Sequence, residues 1–381
     1  MKKKIKLLIL INDLSFFLSH RLPIAEASQA KGFEVIIGYG ELRGADTQLL
    51  EKKGFKIKFV PMYRGSINLL KNIKTFFYIW NFFKKERPDI VHLVTIKPYL
   101  YGGIISRLTS VPCLVSAVSG LGSLFIREDL KSRFLRLLIY PIYRLAFNHS
   151  NQKVIFQNSD DLKLLKNWGV LNSIKVKIIR GSGVKLENFT SLDETSGIPV
   201  VCFAARLLSD KGVYDFVSAA QILKKKNIQA RFCIAGNLDE SNPTGLNHYD
   251  LSKLREDESV EILGYQKDIP TLFAGSHIIC LPSYREGLPK ILIEAAAASR
   301  AVVTTDVPGC RDAIIPNKTG LLVPVKDPQK LANALQWLIE HPQERIDMGK
   351  EGRKFAEKKF PIEKIVQKHL DIYQDLLSNH S

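Results

Sequence analysis

The stretch SYREGLPKILIEAAAAS, Ser283 to Ser299, puts an acidic residue in a loop, turns through Gly287 and Pro289, and runs into an apolar helix carrying a second acidic residue, Glu294. Core packing alone does not call for a carboxylate there. Pro289 fits the first turn of a helix, so the N–H groups around Gly287, Leu288 and Lys290 point out of its start towards a ligand. At about 1.5 Å rise per residue, Glu286 and Glu294 stand on the order of 10 Å apart. A glycosidase pair sits closer, about 5 to 9.5 Å. The spacing suits the two ends of one long ligand, such as a nucleotide sugar, with one glutamate accepting from sugar hydroxyls and the other from a ribose diol. A solvated helix residue is the plain alternative for Glu294, but its neighbours ILIEAAAA describe an enclosed helix, where an unpaired carboxylate is costly.

Outward from this stretch, short apolar runs alternate with helical patterns along the whole chain. IKLLILIN, FEVIIGY, FKIKFVP and DIVHLVT are each followed by a helix in the first half, and VVCFAAR, ARFCIAGN, VEILGY, IICLPS and AVVTTDVPG recur in the second. Continuous apolar strands of this kind belong to parallel sheets covered on both faces. The polar stretch LENFTSLDETSGIP, Leu186 to Pro199, reads as a linker. With 381 residues, two doubly wound α/β domains are the economical architecture. Ligands of such sheets sit at the carboxyl ends of the strands. After VVCFAA come Arg206 and then Lys211 before a helix, two cations placed for a diphosphate. Read structurally, they are surface cations.

Five cysteines are scattered singly, with no spacing for a zinc or redox site, which fits a reduced compartment. The start MKKKIKLLILIND imitates a signal peptide but breaks at Asn12-Asp13, so it reads as a first buried strand. The longest apolar segment, FFYIWNFF, is far short of the roughly 20 residues of a membrane span. The net charge of +17 is lopsided: through Lys185 there are 31 Lys+Arg against 12 Asp+Glu, a balance of +19, and beyond it 24 against 26, a balance of −2. An anionic partner facing the first half is expected, whether nucleic acid or an anionic membrane surface. No RNP, zinc-finger or helix-turn-helix signature accompanies the charge, so nucleic acid is not expected.

AARLLSDKG, then VEILGYQKDIPTLFAGSHIICLPSYREGLPKILIEAAAASRAVVTTDVPGCRDAI, then NKTGLLVPVKDPQKLANAL closely resemble the C-terminal half of glycosyltransferase family four, the retaining GT-B enzymes. The likeness extends to SHRLPIAEASQAKGFEV, GSGVKLENF and a final helix that in the family returns to the first domain. It implies two Rossmann-like doubly wound parallel-sheet domains facing a central cleft. The boundaries are an acceptor-binding domain at 1–185, a nucleotide-sugar-binding domain at 186–360 and a returning helix at 361–381. It implies that Glu286 and Glu294 form the family's E-x7-E pair and that Arg206 and Lys211 bind the diphosphate. Glu286, Arg206 and Lys211 are the catalytic candidates. Gly264, Tyr265, Gly287, Leu288, Pro289 and Glu294 join Arg206, Lys211 and Glu286 in the donor set, with Gly120 and Gly122 in an inter-domain loop near the donor.

The first half looks most like bacterial enzymes that extend lipid-linked glycans, in HLVTIKPYLYGGIISRL and SAVSGLGSLF. Asn12, His20, Arg21, His92 and Lys97 are the acceptor-side candidates. Lys97 stands where many members of the family carry a histidine, and His92, within the strand, reads equally as a core histidine. Retention without an evident nucleophile implies front-face displacement, in which the departing diphosphate helps take the acceptor proton. No metal or other cofactor is expected, since the cations serve the diphosphate and no Asp-x-Asp arrangement is present. The expected co-substrate is a nucleotide sugar, with a uridine diphosphate N-acetylhexosamine or hexose the leading choice. The expected acceptor is a polyprenyl-diphosphate saccharide. INLLKNIKTFFYIWNFFKK and REDLKSRFLRLLIYPIYRLAF mix apolar, aromatic and cationic residues as interfacial helices do. A cytoplasmic protein, peripheral on the inner membrane face, follows. The alternative is an epimerase or synthase of the same fold acting on a non-lipid acceptor, which leaves the basic half unexplained.

Overall fold

The structure is a computed structural model that describes residues 4–42, 44–62, 68–122, 125, 129–171, 175–190, 193–240 and 242–380. It divides into two compact units, Met1–Ser182 with Glu363–Ser381, and Gly183–Ile362. Ile67, Ser123, Leu124, Arg127 and Glu128, within the quoted first-half segments, lie outside the described residues.

The first unit is built on a seven-stranded sheet of β1 (Lys6–Asp13), β2 (Glu34–Glu41), β3 (Lys56–Phe59), β4 (Ile90–Val94), β5 (Cys113–Val118), β6 (Gln152–Phe156) and β7 (Lys175–Ile178). They lie in the order β3-β2-β1-β4-β5-β6-β7, and all pairs are parallel. The central strands are apolar on both faces because helices cover both. Leu7, Ile9 and Ile11 of β1 face a core completed by Leu14, Phe17 and the C-terminal helix Ile362–Ser378. Leu8 and Leu10 face the other, with Ile79, Phe82 and Phe83 of helix Leu69–Glu86 and Tyr143 of helix Leu130–Ala146. Strand order reverses between β1 and β4, so a crevice opens at their carboxyl ends.

The second unit carries β8 (Val200–Ala204), β9 (Arg231–Ala235), β10 (Glu261–Gly264), β11 (Ile278–Leu281), β12 (Ala301–Thr305) and β13 (Gly320–Val323), in the order β10-β9-β8-β11-β12-β13. Its reversal lies between β8 and β11. Within the 186–199 stretch, expected as a linker, Glu194 and Thr195 are fastened to this unit, and Ser191 and Leu192 lie outside the described residues. Arg345 is buried and grips Glu194 at 2.6 and 3.0 Å, and His277 Nε2 lies 2.9 Å from the Thr195 carbonyl. Polar composition concealed this, because the stretch is held by ion pairing with a helix some 150 residues later.

Candidate functional site

At the reversal point of the second sheet, three loops converge. After β8, the turn Ser209–Lys211 leads through Gly212 into helix Val213–Lys225. Gly212 is required: its φ is +75°, and a Cβ would lie 2.1 Å from the Pro282 carbonyl oxygen. After β11, the 282–289 loop is tied to that turn, Tyr284 N–H donating to the Asp210 carbonyl at 2.9 Å and Ser283 Oγ to the same oxygen at 3.2 Å. After β12, the third loop accepts from Glu286 N–H through the Pro308 carbonyl at 3.2 Å. Gly309, at φ +82°, passes so close beneath that a Cβ would stand 2.6 Å from the carbonyl oxygens of Glu286 and Gly287.

This framework brings Lys211 Nζ to 2.5 Å from Glu286 Oε1, with both side chains largely buried. Helix Lys290–Ala297 begins at once, and Glu294, buried within it, is met by Lys290 Nζ at 2.9 Å one turn back. Burial pushes the Glu294 carboxyl above its ordinary range, with Lys290 opposing the shift in part. Pro289 is the N-cap of this helix rather than a residue of its first turn, and no side chain caps the helix start. Leu292 N–H donates to the Pro289 carbonyl at 3.2 Å, and the N–H groups of Lys290 and Ile291 have no side-chain cap and can face an anion. Arg206, 41% exposed, reaches Asp239 at 2.5 Å. Gly287 and Leu288 are buried in the loop, Gly264 ends β10 with φ +68° and accepts from Gly236 N–H at 2.8 Å, and Tyr265 stands exposed beside it. Asp239, and the pairing of the Lys290 side chain with Glu294, were missed from the sequence. The i,i+4 spacing of Lys290 and Glu294 was the available signal for the second. Together these groups offer cations and helix N–H donors to a diphosphate and two carboxylates to hydroxyl groups.

The acceptor-side candidates all lie in the first unit, but they separate. Asn12 is near the end of β1, buried, with Oδ1 unpaired among the described residues. Lys97 follows β4, donates to Asn72 Oδ1 at 3.0 Å, and is pushed below the usual lysine range by burial, with Glu41 opposing the shift. Gly120 and Gly122, at φ +128° and +72°, follow β5. His20 ends helix Leu14–His20, stacked on Phe16 with ring centroids 4.0 Å apart and its Nδ1 2.6 Å from Ser19 Oγ.

His92 requires a correction. It is fully buried, its Nδ1 lies 2.6 Å from the Tyr373 hydroxyl, and its ring stacks on His369, both on the C-terminal helix. Its parity on β4 turns it into the core, where it packs against that helix, the core-histidine reading of the two. Arg21 is likewise interior, only 2% exposed, reaching the His20 carbonyl at 3.0 Å and Ser119 Oγ at 3.4 Å. It supports the loop after β5 from within, and burial lowers its pKa to about 10.

Two helices of the first unit carry an unusual surface. Leu130–Ala146 exposes Leu130, Phe134, Leu137, Leu138 and Leu145 along one stripe, Leu130 at 82%, with Arg133 and Arg144 exposed at its flank. Leu69–Glu86 exposes Leu69, Leu70, Ile73 and Phe77 among Lys71, Lys74, Lys84 and Lys85. Both cover the same face of the sheet. Among the described residues no helix is long and apolar enough to cross a membrane, and no group of His, Cys, Asp and Glu is arranged to hold a metal ion.

Residues 184–355 match the family described as glycosyl transferases group 1, and residues 6–158 the one described as glycosyl transferase 4-like. The chain is 29% identical over 384 residues to the N,N'-diacetylbacillosaminyl-diphospho-undecaprenol alpha-1,3-N-acetylgalactosaminyltransferase of Campylobacter jejuni, covering 95% of this chain and 99% of that one. It is 27% identical over 335 residues to the UDP-Gal:alpha-D-GlcNAc-diphosphoundecaprenol alpha-1,3-galactosyltransferase of Escherichia coli, covering 84% of each. Sucrose-phosphate synthase of Thermosynechococcus elongatus shares its fold at a TM-score of 0.81 and 19% identity, covering 99% of this chain and all of that one.

Proposed function

Taking as premise that the chain belongs to glycosyltransferase family four, with the GT-B fold, we propose that it moves a hexosyl or N-acetylhexosaminyl group, with retention, from a nucleoside diphosphate sugar to a saccharide carried on a polyprenyl diphosphate. The observation that carries the reading is the double ion pair at the second unit's reversal point, Lys211 with Glu286 and Lys290 with Glu294, beside an uncapped helix start. Glu286 accepts from hydroxyls of the transferred sugar and Glu294 from the ribose. Lys211, Arg206 and the helix N–H groups receive the charge that grows on the leaving diphosphate. In the step itself the anomeric carbon–phosphate oxygen bond breaks while the acceptor oxygen bonds to the same face, and the acceptor proton passes to the departing phosphate. The residues present supply that charge without a metal ion.

The acceptor reading rests on relatives whose names specify undecaprenyl-diphosphate saccharides and on the exposed apolar and cationic residues of two first-unit helices. The apolar stripe of Leu130–Ala146 suits the acyl boundary and the lysines of Leu69–Glu86 suit anionic headgroups, which makes the protein peripheral on a membrane surface. A uridine nucleotide is the first donor to try. The test is to incubate the purified chain with a panel of nucleoside diphosphate sugars and an undecaprenyl-diphosphate saccharide, with and without excess chelator, and to read the anomeric configuration of the product by NMR. A product of retained configuration that forms undiminished in chelator is expected. Inversion, or activity restored only by added Mg²⁺, overturns the mechanism.

A further inference from the structure

The loop that carries Glu286 is fastened by a residue two places before it. Among the described residues Tyr284 is held at three points, each in a different segment of the second unit. Its N–H donates at 2.9 Å to the Asp210 carbonyl, in the turn that carries Lys211. Its hydroxyl donates to Asp215, in the first turn of helix Val213–Lys225. Its ring centroid stands 5.3 Å from Lys326 Nζ, and the Lys326 N–H donates to Asp215 as well. Lys326 lies between β13 and helix Pro328–Glu340 at a φ of +57°, a conformation uncommon outside glycine that persists where the surroundings impose it. Asp215 Oδ2 is buried without a hydrogen-bond partner among the described residues, so both bonds fall on Oδ1. Burial, with Asp215 and then Asp210 adding to it, pushes the Tyr284 phenol up to about 12, so it remains a donor. A phenylalanine would fill the same space. The hydroxyl serves the bond to Asp215.

We propose that Tyr284 is a positioning residue for sugar transfer, its hydroxyl on Asp215 holding Glu286 against Lys211 while the diphosphate departs. The inference rests on the function proposed above and adds to it the residue that keeps these two charges in register. Lys211 follows Asp210 directly, and Glu286 lies just beyond Tyr284. On the side of the Lys211 turn, the bonds from Tyr284 N–H and Ser283 Oγ meet on a single oxygen, the Asp210 carbonyl. A loop held at one atom can pivot about it. The hydroxyl supplies a second fixed point on a helix, and the Lys326 N–H on the same carboxylate oxygen keeps that oxygen from turning away. Fixed charges lower a barrier only while they stay aimed at the atoms where charge develops, and a shift of about 1 Å costs up to about 10²-fold in rate. Binding of the donor before reaction is less exacting, since Arg206 and the helix N–H groups also meet the diphosphate. The hydroxyl therefore acts on turnover more than on affinity.

Tyr284→Phe keeps the ring, the backbone bond and the contact with Lys326, and removes only the hydroxyl. Asp215→Asn keeps Oδ1 and both bonds to it, whereas Asp215→Ala removes them. Transfer is measured with an undecaprenyl-diphosphate saccharide and the nucleoside diphosphate sugar that the parent accepts. In Tyr284→Phe and in Asp215→Ala, kcat is expected to fall about tenfold with the donor KM within about twofold of the parent. Tyr284→Phe combined with Asp215→Ala should lose no more than Asp215→Ala alone, because the two changes remove one shared interaction. Asp215→Asn is expected to stay within about twofold of the parent. Calorimetry with the matching nucleoside diphosphate should give a full complement of sites and an unchanged Kd in every variant, which excludes a loss of folded protein. Parental kcat in Tyr284→Phe overturns the proposal, as does a fall in kcat matched by a fall in the number of binding sites. Should Asp215→Ala not fold, the contrast between Tyr284→Phe and Asp215→Asn carries the test. A parent that transfers from no nucleoside diphosphate sugar removes the proposed function, and the role of Tyr284 with it.

Discussion

The two units place different groups at their reversal points, ion-paired charges in the second, where Asp210 Oδ1 of the same turn is nonetheless buried without a partner among the described residues, and chiefly amide and hydroxyl groups in the first. At the reversal point of the second sheet Arg206, Lys211, Glu286 and Glu294 are each already paired, with Asp239 and Lys290 completing the set. At the reversal point of the first, Asn12 and Thr95 carry unpaired buried oxygens, and beneath them His92 and His369 each leave Nε2 unpaired. A charged ligand of constant form, such as a diphosphate, rewards a site whose charges are fixed before it arrives, because little reorganisation remains when charge develops. A neutral ring on a lipid carrier offers less to fix in advance.

The comparison breaks first at the paired charges. Glu286→Gln is expected to lower turnover by about 10²–10³, as the loss of one well-placed electrostatic contact does, while thermal unfolding stays near that of the parent. Steady-state transfer rates and a melting curve on the same preparation check it. Near-parental turnover would mean that the Lys211–Glu286 pair merely ties two loops together.

The backbone that carries those charges offers the next largest effect. Gly309→Ala places a Cβ where the carbonyl oxygens of Glu286 and Gly287 stand 2.6 Å away, at a φ of +82°. A cost of about 2 kcal/mol or more is expected from the combined clash and strain, read as a lower denaturant midpoint with unchanged slope. A midpoint equal to that of the parent would show that the third loop is free to move away, and that the donor site is less fixed than its ion pairs imply.

Much of this second unit was legible in the sequence because its chemistry is local. Gly287 and Pro289 mark the loop, ILIEAAAA marks the enclosed helix, and Arg206 and Lys211 follow an apolar strand directly. What was missed depends on pairs made by the fold. Arg206 meets Asp239 from 33 residues away, and His92 meets Tyr373 from 281. Thr95 was hidden for another reason. Its signal is a backbone angle, and no neighbour in VHLVTIKP announces a threonine at positive φ. Similarly, an apolar stripe on Leu130–Ala146 reads alike whether it faces a core or solvent, and only its exposure distinguishes the two.

The buried imidazoles of the first unit make its stability sensitive to pH. Burial holds His369 down to about 3, with Arg21 adding to the effect, and burial followed by His369 and Arg21 holds His92 well below the ordinary histidine range. The unfolded chain takes up protons near 6.5 while the folded one does not. Stability is therefore complete above about pH 6.5 and is lost as pH falls below it, by about 1.4 kcal/mol per pH unit for each imidazole. Unfolding free energies measured between pH 7 and 5 should fall in that direction, with buried His149, also lowered by desolvation, adding to the slope, and His369→Gln should reduce it by the share of one imidazole among three. A flat profile would mean that the two rings stay as accessible to protons as in the unfolded chain.

The smallest effect per residue concerns the lysines of Leu69–Glu86, and it bears on whether the first unit's outward face is a lipid surface. Each cation near an anionic bilayer contributes about 1 kcal/mol, and salt at a Debye length of about 8 Å weakens it. Replacing Lys71, Lys74, Lys84 and Lys85 together by Glu should abolish flotation with vesicles containing anionic lipid, whereas the parent floats at low salt and is released at high salt. Phe134→Ser with Leu137→Ser, on the other helix, should weaken binding to the same vesicles with little change in its salt dependence, because the change removes apolar burial and leaves the charge unaltered. In both variants transfer to a long-chain lipid acceptor should fall while a short water-soluble acceptor is still used, since the reversal points of both sheets are untouched. Equal loss on the two acceptors would show that these helices serve the fold alone, and the contrast between a charged donor unit and a lipid-facing acceptor unit would have to be abandoned.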